Sequence, residues 1–219
     1  MVSVLIYFSI ALIGTVLAVP VYGFFTKEQE KRTKISFRKD YVAIILFAVG
    51  NVLYFCFTFT LVSDTWVSIL TNAQNQLLWC IVFLIAAIDF KVMKIPNKLV
   101  LGLLIVRALY MIVVIASGAV AWKVILVNSL VGFVAGAIFM GVCYFFARGG
   151  VGAGDLKLYA SLGFCYELVG LVAIMLYSLL ASVVVGVGML VFKKAKFKTA
   201  IPMAPFIIFG LTIYLVFAN

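Results

Sequence analysis

Two aspartates stand in a chain that is otherwise almost uncharged. Asp89 ends an apolar run and is followed closely by Ile95-Pro96-Asn97, and Asp155 closes Gly152-Ala153-Gly154-Asp155. A carboxylate at the edge of hydrocarbon is costly enough to demand a reason, and two of them, each beside a backbone breaker, point to a paired acid/base site. Brought together, such groups share a proton, because like charges in close contact cannot both ionise cheaply. The ionised member then deprotonates a water that attacks a peptide carbonyl, and the protonated one donates to the carbonyl oxygen. This chemistry uses no metal and no covalent nucleophile, so no metal ligands are assigned. Gly152 and Gly154 allow close approaches that a Cβ would block, leaving room for an extended substrate backbone beside Asp155. Pro96 denies its loop a helical hydrogen bond, and Asn97 is suited to cap the helix that follows. Either aspartate alone reads equally well as a helix cap or a lysine partner; it is the pair, each at a broken span, that favours chemistry.

The elements that must position this pair are membrane helices. Of the 219 residues, 67% are hydrophobic and only 11% charged, and the mean hydropathy is +1.29, far from the balance of an ordinary globular domain. Apolar stretches long enough to approach about 30 Å of hydrocarbon run over 2–25, 41–62, 77–88, 99–116, 124–146, 168–192 and 201–218. The third is shortened where Asp89 interrupts it. A further helical piece, Leu156-Lys157-Leu158-Tyr159-Ala160-Ser161-Leu162, ends at Gly163 and is too short to span comfortably. The expected fold is all-α: a polytopic integral membrane bundle of about eight segments, one of them short beside Asp155, forming a single domain over 1–219.

The net charge of +10 is confined to short loops rather than spread in a solvated stripe, which excludes a nucleic-acid partner and supplies an orientation signal. Lysines and arginines cluster in four loops: 26–40; Lys91, Lys94 and Lys98; Arg148 with Lys157; and Lys193, Lys194, Lys196 and Lys198. All four are expected in the cytoplasm. The stretch 63–76, without Lys or Arg, and the turn at Ser117-Gly118 then fall outside. For the third and fourth basic loops to share a side, the short piece after Asp155 must go up and the next helix return. Both termini are then outside, and both aspartates lie at the cytoplasmic face of a multi-pass inner-membrane protein. The run 2–25 lacks a basic n-region and reads as a permanent span rather than a removed leader.

The remaining polar residues have structural readings. Cys56, Cys80, Cys143 and Cys165 are far apart, with no CxxC, and read as small buried hydrophobes; the chain has no histidine, which excludes histidine-based triads. Arg107, about 15 Å into its span by helical rise, is expected to face the bundle and find a partner. Glu167 reads as solvated in an outer turn. Gly132 and Gly136 form a GxxxG face, with Gly141 beyond it, and are assigned to helix packing. Asn51 and Asn128 read as interhelical hydrogen bonders.

These residues resemble the bacterial type IV prepilin peptidases, the GxGD class of membrane aspartyl proteases. Three blocks carry the likeness in the family's order: Asp89 with Ile95-Pro96-Asn97; Gly152-Ala153-Gly154-Asp155-Leu156-Lys157-Leu158 with Ala160-Ser161-Leu162-Gly163; and Ile201-Pro202-Met203-Ala204-Pro205-Phe206 with Gly210. They span 77–215, which the resemblance makes the peptidase core, while 1–75 carries no such signature and has no assigned role. The resemblance implies an enzyme that clips the short basic leader from prepilin or pseudopilin substrates, after a glycine and before their apolar helix. Asp89 and Asp155 match the two catalytic aspartates. Lys157 matches the family's lysine after GxGD, as a pKa-tuning or substrate contact or as a snorkelling surface charge, and the segment around Pro202 shapes the wall of the site. Larger members carry two CxxC pairs in an N-terminal cytosolic loop and methylate the new N-terminus with S-adenosylmethionine. This chain has only 26–40 there, without cysteine, so the likeness implies cleavage without methyl transfer and without a cofactor. Two readings of other classes remain: a small carboxylate-dependent transporter, and a scaffold that holds pilins without cutting them.

Overall fold

The computed structural model describes residues 49–50, 65–146, 152–192 and 201–217. The span 2–25, all but two residues of the span 41–62, the basic stretches 26–40 and 193–198, Arg148, Asn51, Cys56 and both termini lie outside them. Among the described residues every regular element is an α-helix: α1 Trp66–Val92, α2 Asn97–Ala116, α3 Trp122–Phe146, α4 Ala153–Val191 and α5 Ala204–Phe217. The first four are long and apolar enough to cross a membrane. The protein is thus an all-helical, multi-pass membrane bundle.

The helix ends follow from local chemistry. Thr65 Oγ1 accepts the Ser68 N–H at the start of α1, an N-cap for the first orphan donors. At the other end Met93 turns left-handed (φ 52°) and returns its N–H to the Asp89 carbonyl at 2.8 Å. Pro96, which disfavours helical backbone at Ile95, then stands as the N-cap residue of α2. Asn97 is therefore inside the helix and is not its cap. The Pro96 carbonyl accepts from Leu99 and Val100 N–H. Pro205 occupies the first turn of α5, where a missing N–H costs nothing.

Two segment expectations need correction. The third span is a helix of 27 residues that begins at Trp66 and runs on through Asp89 to Val92, so the aspartate does not interrupt it. The polar run Asn72, Gln74, Asn75 and Gln76, read as part of an outside loop, is helical and buried. Second, the piece after Asp155 does not end at Gly163. It continues to Glu167, whose backbone leaves helical geometry at φ 60°, ψ −173°, a region that costs a non-glycine residue about 1–3 kcal/mol. On a straight helix Tyr159 and Ser178 would stand about 28 Å apart, yet their hydroxyls meet at 2.7 Å. The chain therefore folds back on itself at Glu167, and α4 is a hairpin of a short first limb, 153–166, and a longer second limb, 168–191. The rise and return read from the loop charges are present, with the bend displaced to Glu167.

The core forms where α1 and α4 face each other with α2 and α5 alongside. Leu78, Ile85, Leu103, Leu158, Leu162, Ile207 and Leu211 are all fully enclosed there. Lipid tails are as apolar as leucine, so association rests on close fit and polar links more than on water exclusion. α3 packs most extensively on α4, and its glycines explain why. A Cβ on Gly132 would strike the Gly163 carbonyl, one on Gly163 would strike Gly132, and one on Gly136 would lie 2.7 Å from the Tyr159 carbonyl. Gly141 meets only an ordinary side-chain contact. Trp79 Nε1 donates to Thr212 Oγ1 at 2.9 Å and joins α1 to α5. Cys80 and Cys165 are buried and Cys143 is half-buried, none of the three in a disulfide, while Asn128 sits on an exposed face of α3 rather than between helices.

Arg107 is the polar centre of the half of the bundle remote from the aspartates. From mid-α2 its guanidinium reaches Glu167 at the bend (3.1 Å), Ser129 on α3 (2.9 Å) and Gln74 on α1 (3.5 Å). Glu167 is thus the ion partner of Arg107 and is not simply solvated. The strained backbone at the bend presents that carboxylate. Because Glu167 is 39% exposed, Arg107→Met is expected to cost about 2 kcal/mol rather than the full penalty of breaking a buried pair. Thermal unfolding in detergent should show the loss, with Arg107→Lys recovering part of it; an unchanged melting temperature would mean that the ion pair does not hold the bend.

Candidate active site

Both aspartates lie at the same end of the bundle, on a cavity of about 320 Å³. Asp89 comes from the last turn of α1 and is buried. Asp155 is the third residue of α4, half-buried, and its Oδ2 accepts the Gly152 N–H at 3.2 Å, the reciprocal half of an N-terminal capping arrangement. Segments far apart in the chain meet here because the C-terminus of α1 and the N-termini of α2, α4 and α5 converge at this end. Gly152, Gly154, Asn97 and Lys157 also line the cavity.

The third block contributes more than a wall. Asp89 Oδ2 accepts the backbone N–H of Ala204 at 3.0 Å, so the free N-terminus of α5 points its donor, and its dipole, at this carboxylate. Pro202 lies two residues earlier, half-buried, and is not among the cavity's lining residues. Neither is Pro96, which is buried beneath the loop. The Ala204 N–H is a contact to the pair that residue types could not announce, since any residue supplies one. Its signal was positional: a helix start after Pro202, with Pro205 in the first turn.

Two assignments shift in detail. Gly154 faces Ile95, whose Cβ would be 3.0 Å from an added Cβ, so this glycine lets the loop after α1 close on α4. Gly152 has an ordinary extended backbone, and a Cβ there would approach Asp155 Oδ2 at 3.1 Å. Lys157 Nζ donates to Asn97 Oδ1 at 3.2 Å, tying the starts of α2 and α4 across the cavity rim. Among the described residues no group of three or more His, Cys, Asp or Glu comes together that could hold a metal.

A carboxylate pair at one end of a helical membrane bundle, one member on each of two converging helix ends, defines a class of site suited to acid/base work. Residues 76–191, more than half of the chain, match the type IV leader peptidase family. The chain belongs to that family. It is 28% identical over 130 residues to the prepilin leader peptidase/N-methyltransferase of Bacillus subtilis (strain 168), taking in 59% of this chain and 50% of that protein. The matched stretch thus spans about half the length of that curated relative. No solved structure matches the chain. The segment that carries Ala204 lies beyond the family match.

Proposed function

We propose that this protein is an aspartic-type endopeptidase that removes the short basic leader from type IV prepilin or pseudopilin subunits. The observation that carries the reading is the meeting of Asp89 and Asp155 on one cavity from distant parts of a chain in the type IV leader peptidase family. One carboxylate, ionised, takes a proton from the water that attacks the scissile carbonyl while the other, protonated, donates to the carbonyl oxygen; as the C–N bond breaks, the first passes its proton to the leaving amine and the second recovers one from the tetrahedral diol, which restores the starting pair. The Ala204 and Gly152 N–H groups hold the two carboxylates in place. Lys157 and Asn97, joined across the rim, are placed to meet substrate backbone.

The site end of the bundle faces the cytoplasm in this reading, with the protein in the inner membrane and both termini outside. Lys91, Lys94, Lys98 and Lys157 stand at that end and Lys123 at the other among the described residues, the bias of an inward-facing rim. The acid/base mechanism calls for no cofactor or metal. Methyl transfer forms no part of it: the stretch 26–40 contains no cysteine with which to build the loop that supports it in larger relatives.

The test is the N-terminal mass of a coexpressed prepilin with and without this protein. Loss of the leader at the glycine, with no added methyl group, is the expected result. An intact leader in the presence of folded protein would reject the peptidase reading, and a mass higher by one methyl group would reject the limit to cleavage.

A further inference from the structure

α2 and α3 both pack on α4, but hardly on each other. At the end remote from the aspartates they close together, with Met111 and Val114 of α2 against Ile125 of α3. Toward the aspartates they part and leave a cleft of about 320 Å³ floored by the first limb of α4. Leu101 and Leu104 form one wall, Phe133 and Ala137 the other, and Ala160 lies in the floor. Apart from Asn97, Lys157 and Ser161 the lining is apolar.

Three properties set this cleft apart from an ordinary lipid-facing surface. It adjoins the aspartate cavity, since the hydrogen-bonded pair Asn97 and Lys157 lines both. Its walls open to the lipid side, where Leu101 is 56% exposed, so an occupant arrives sideways from the bilayer without crossing a polar barrier. Ala137 in its wall and the buried Ala160 and Ser161 in its floor are small, which lets the backbone of another helix approach closely. Measured along α2, Asn97 to Leu104 is about 10 Å, or two helical turns. That length and volume fit the side chains of a short helical segment and not a whole span.

We infer that the cleft between α2 and α3 is the docking site for the first two turns of the substrate's apolar helix, the part that follows the scissile bond. The inference rests on the peptidase reading and adds where specificity resides. A helix seated there brings its N-terminal end to Asn97 and Lys157, and so delivers the bond preceding it to Asp89 and Asp155. The basic leader lies beyond the rim and contributes little to recognition. Selection then comes from apolar fit within the membrane, which resolves how a lysine-rich rim can accept a basic leader.

The experiment uses the full chain in detergent with two synthetic probes: a basic leader ending in glycine followed by a twenty-residue apolar helix, and the same peptide cut short a few residues after the glycine. Ala137→Leu and Leu101→Trp narrow the cleft, and Val172→Trp changes an exposed position on the second limb of α4. The cleft variants should lose about ten times more kcat/KM on the long probe than on the short one, through KM, while Val172→Trp leaves both unchanged. Equal losses on the two probes, or none, would overturn the inference. Leu101→Trp sits at the lipid surface, so misfolding does not confound it. In parallel, a photoreactive side chain within the first two turns of the long probe should attach to Leu104 or Phe133 of the Asp155→Asn variant; attachment elsewhere also overturns the inference. If the wild type cuts neither probe the peptidase reading fails, and the photochemical arm still decides whether the cleft binds an apolar helix.

Discussion

Asp155→Asn and Asp89→Asn are each expected to lower leader removal by about a thousandfold or more, the upper part of the range for loss of a positioned acid/base. Asparagine preserves size and most hydrogen bonding. At position 89 it still accepts from the Ala204 N–H, and at position 155 from the Gly152 N–H. The variants should therefore accumulate in the membrane and melt near the wild type, which isolates the chemical step from folding. On the proposed mechanism the two groups act as one proton-sharing unit, so the double variant should be little worse than either single one. Cleavage at the wild-type rate by either variant would end the dyad reading. A scaffold that binds pilins without cutting them would show no difference to lose.

Gly132→Leu is expected to have the second large effect, on folding. The Cβ of any residue at 132 would run into the Gly163 carbonyl and the backbone of Glu167, and backbone cannot yield as the end of a flexible side chain can. Overpacking a core with side chains alone costs about 1–3 kcal/mol, so a clash with backbone at the helix crossing should cost at least the top of that range. α3 would be pushed off α4, and with it one wall of the substrate cleft. Loss of folded protein from the membrane fraction, or a large drop in melting temperature, would register this. Gly141→Leu, at a position in ordinary contact only with Leu156, should be far milder. Similar behaviour of the two would show that close backbone approach at Gly132 is unimportant.

What could be read from the residues, and what could not, divides along physical lines. Asp89 and Asp155 were legible because a carboxylate in apolar surroundings is expensive wherever it sits, whatever the tertiary structure. Gly132 and Gly136 were legible because small residues one helical turn apart have few uses other than close approach. The bend at Glu167 was not. Gly163 looked like the breaker, but it is needed where α3 crosses, and the break falls on Glu167, a residue of left-handed backbone whose side chain pairs with Arg107. Local preference lost to a tertiary contact. The buried run from Asn72 to Gln76 misled for a related reason: polar side chains imply water until a partner such as Arg107, here reaching Gln74, is known. The span proposed for 2–25 and all but two residues of that for 41–62 lie outside the described residues, so the count of about eight segments rests on the sequence.

The hairpin in α4 has a consequence for the surrounding lipid. Its first limb, which carries Asp155, reaches only about 20 Å before it turns. That falls short of about 30 Å of acyl chain. Beside the carboxylates the bilayer must thin, or headgroups and water must dip inward to meet this limb. On the proposed mechanism hydrolytic water then needs no dedicated channel, and turnover is expected to vary with the thickness of the host membrane.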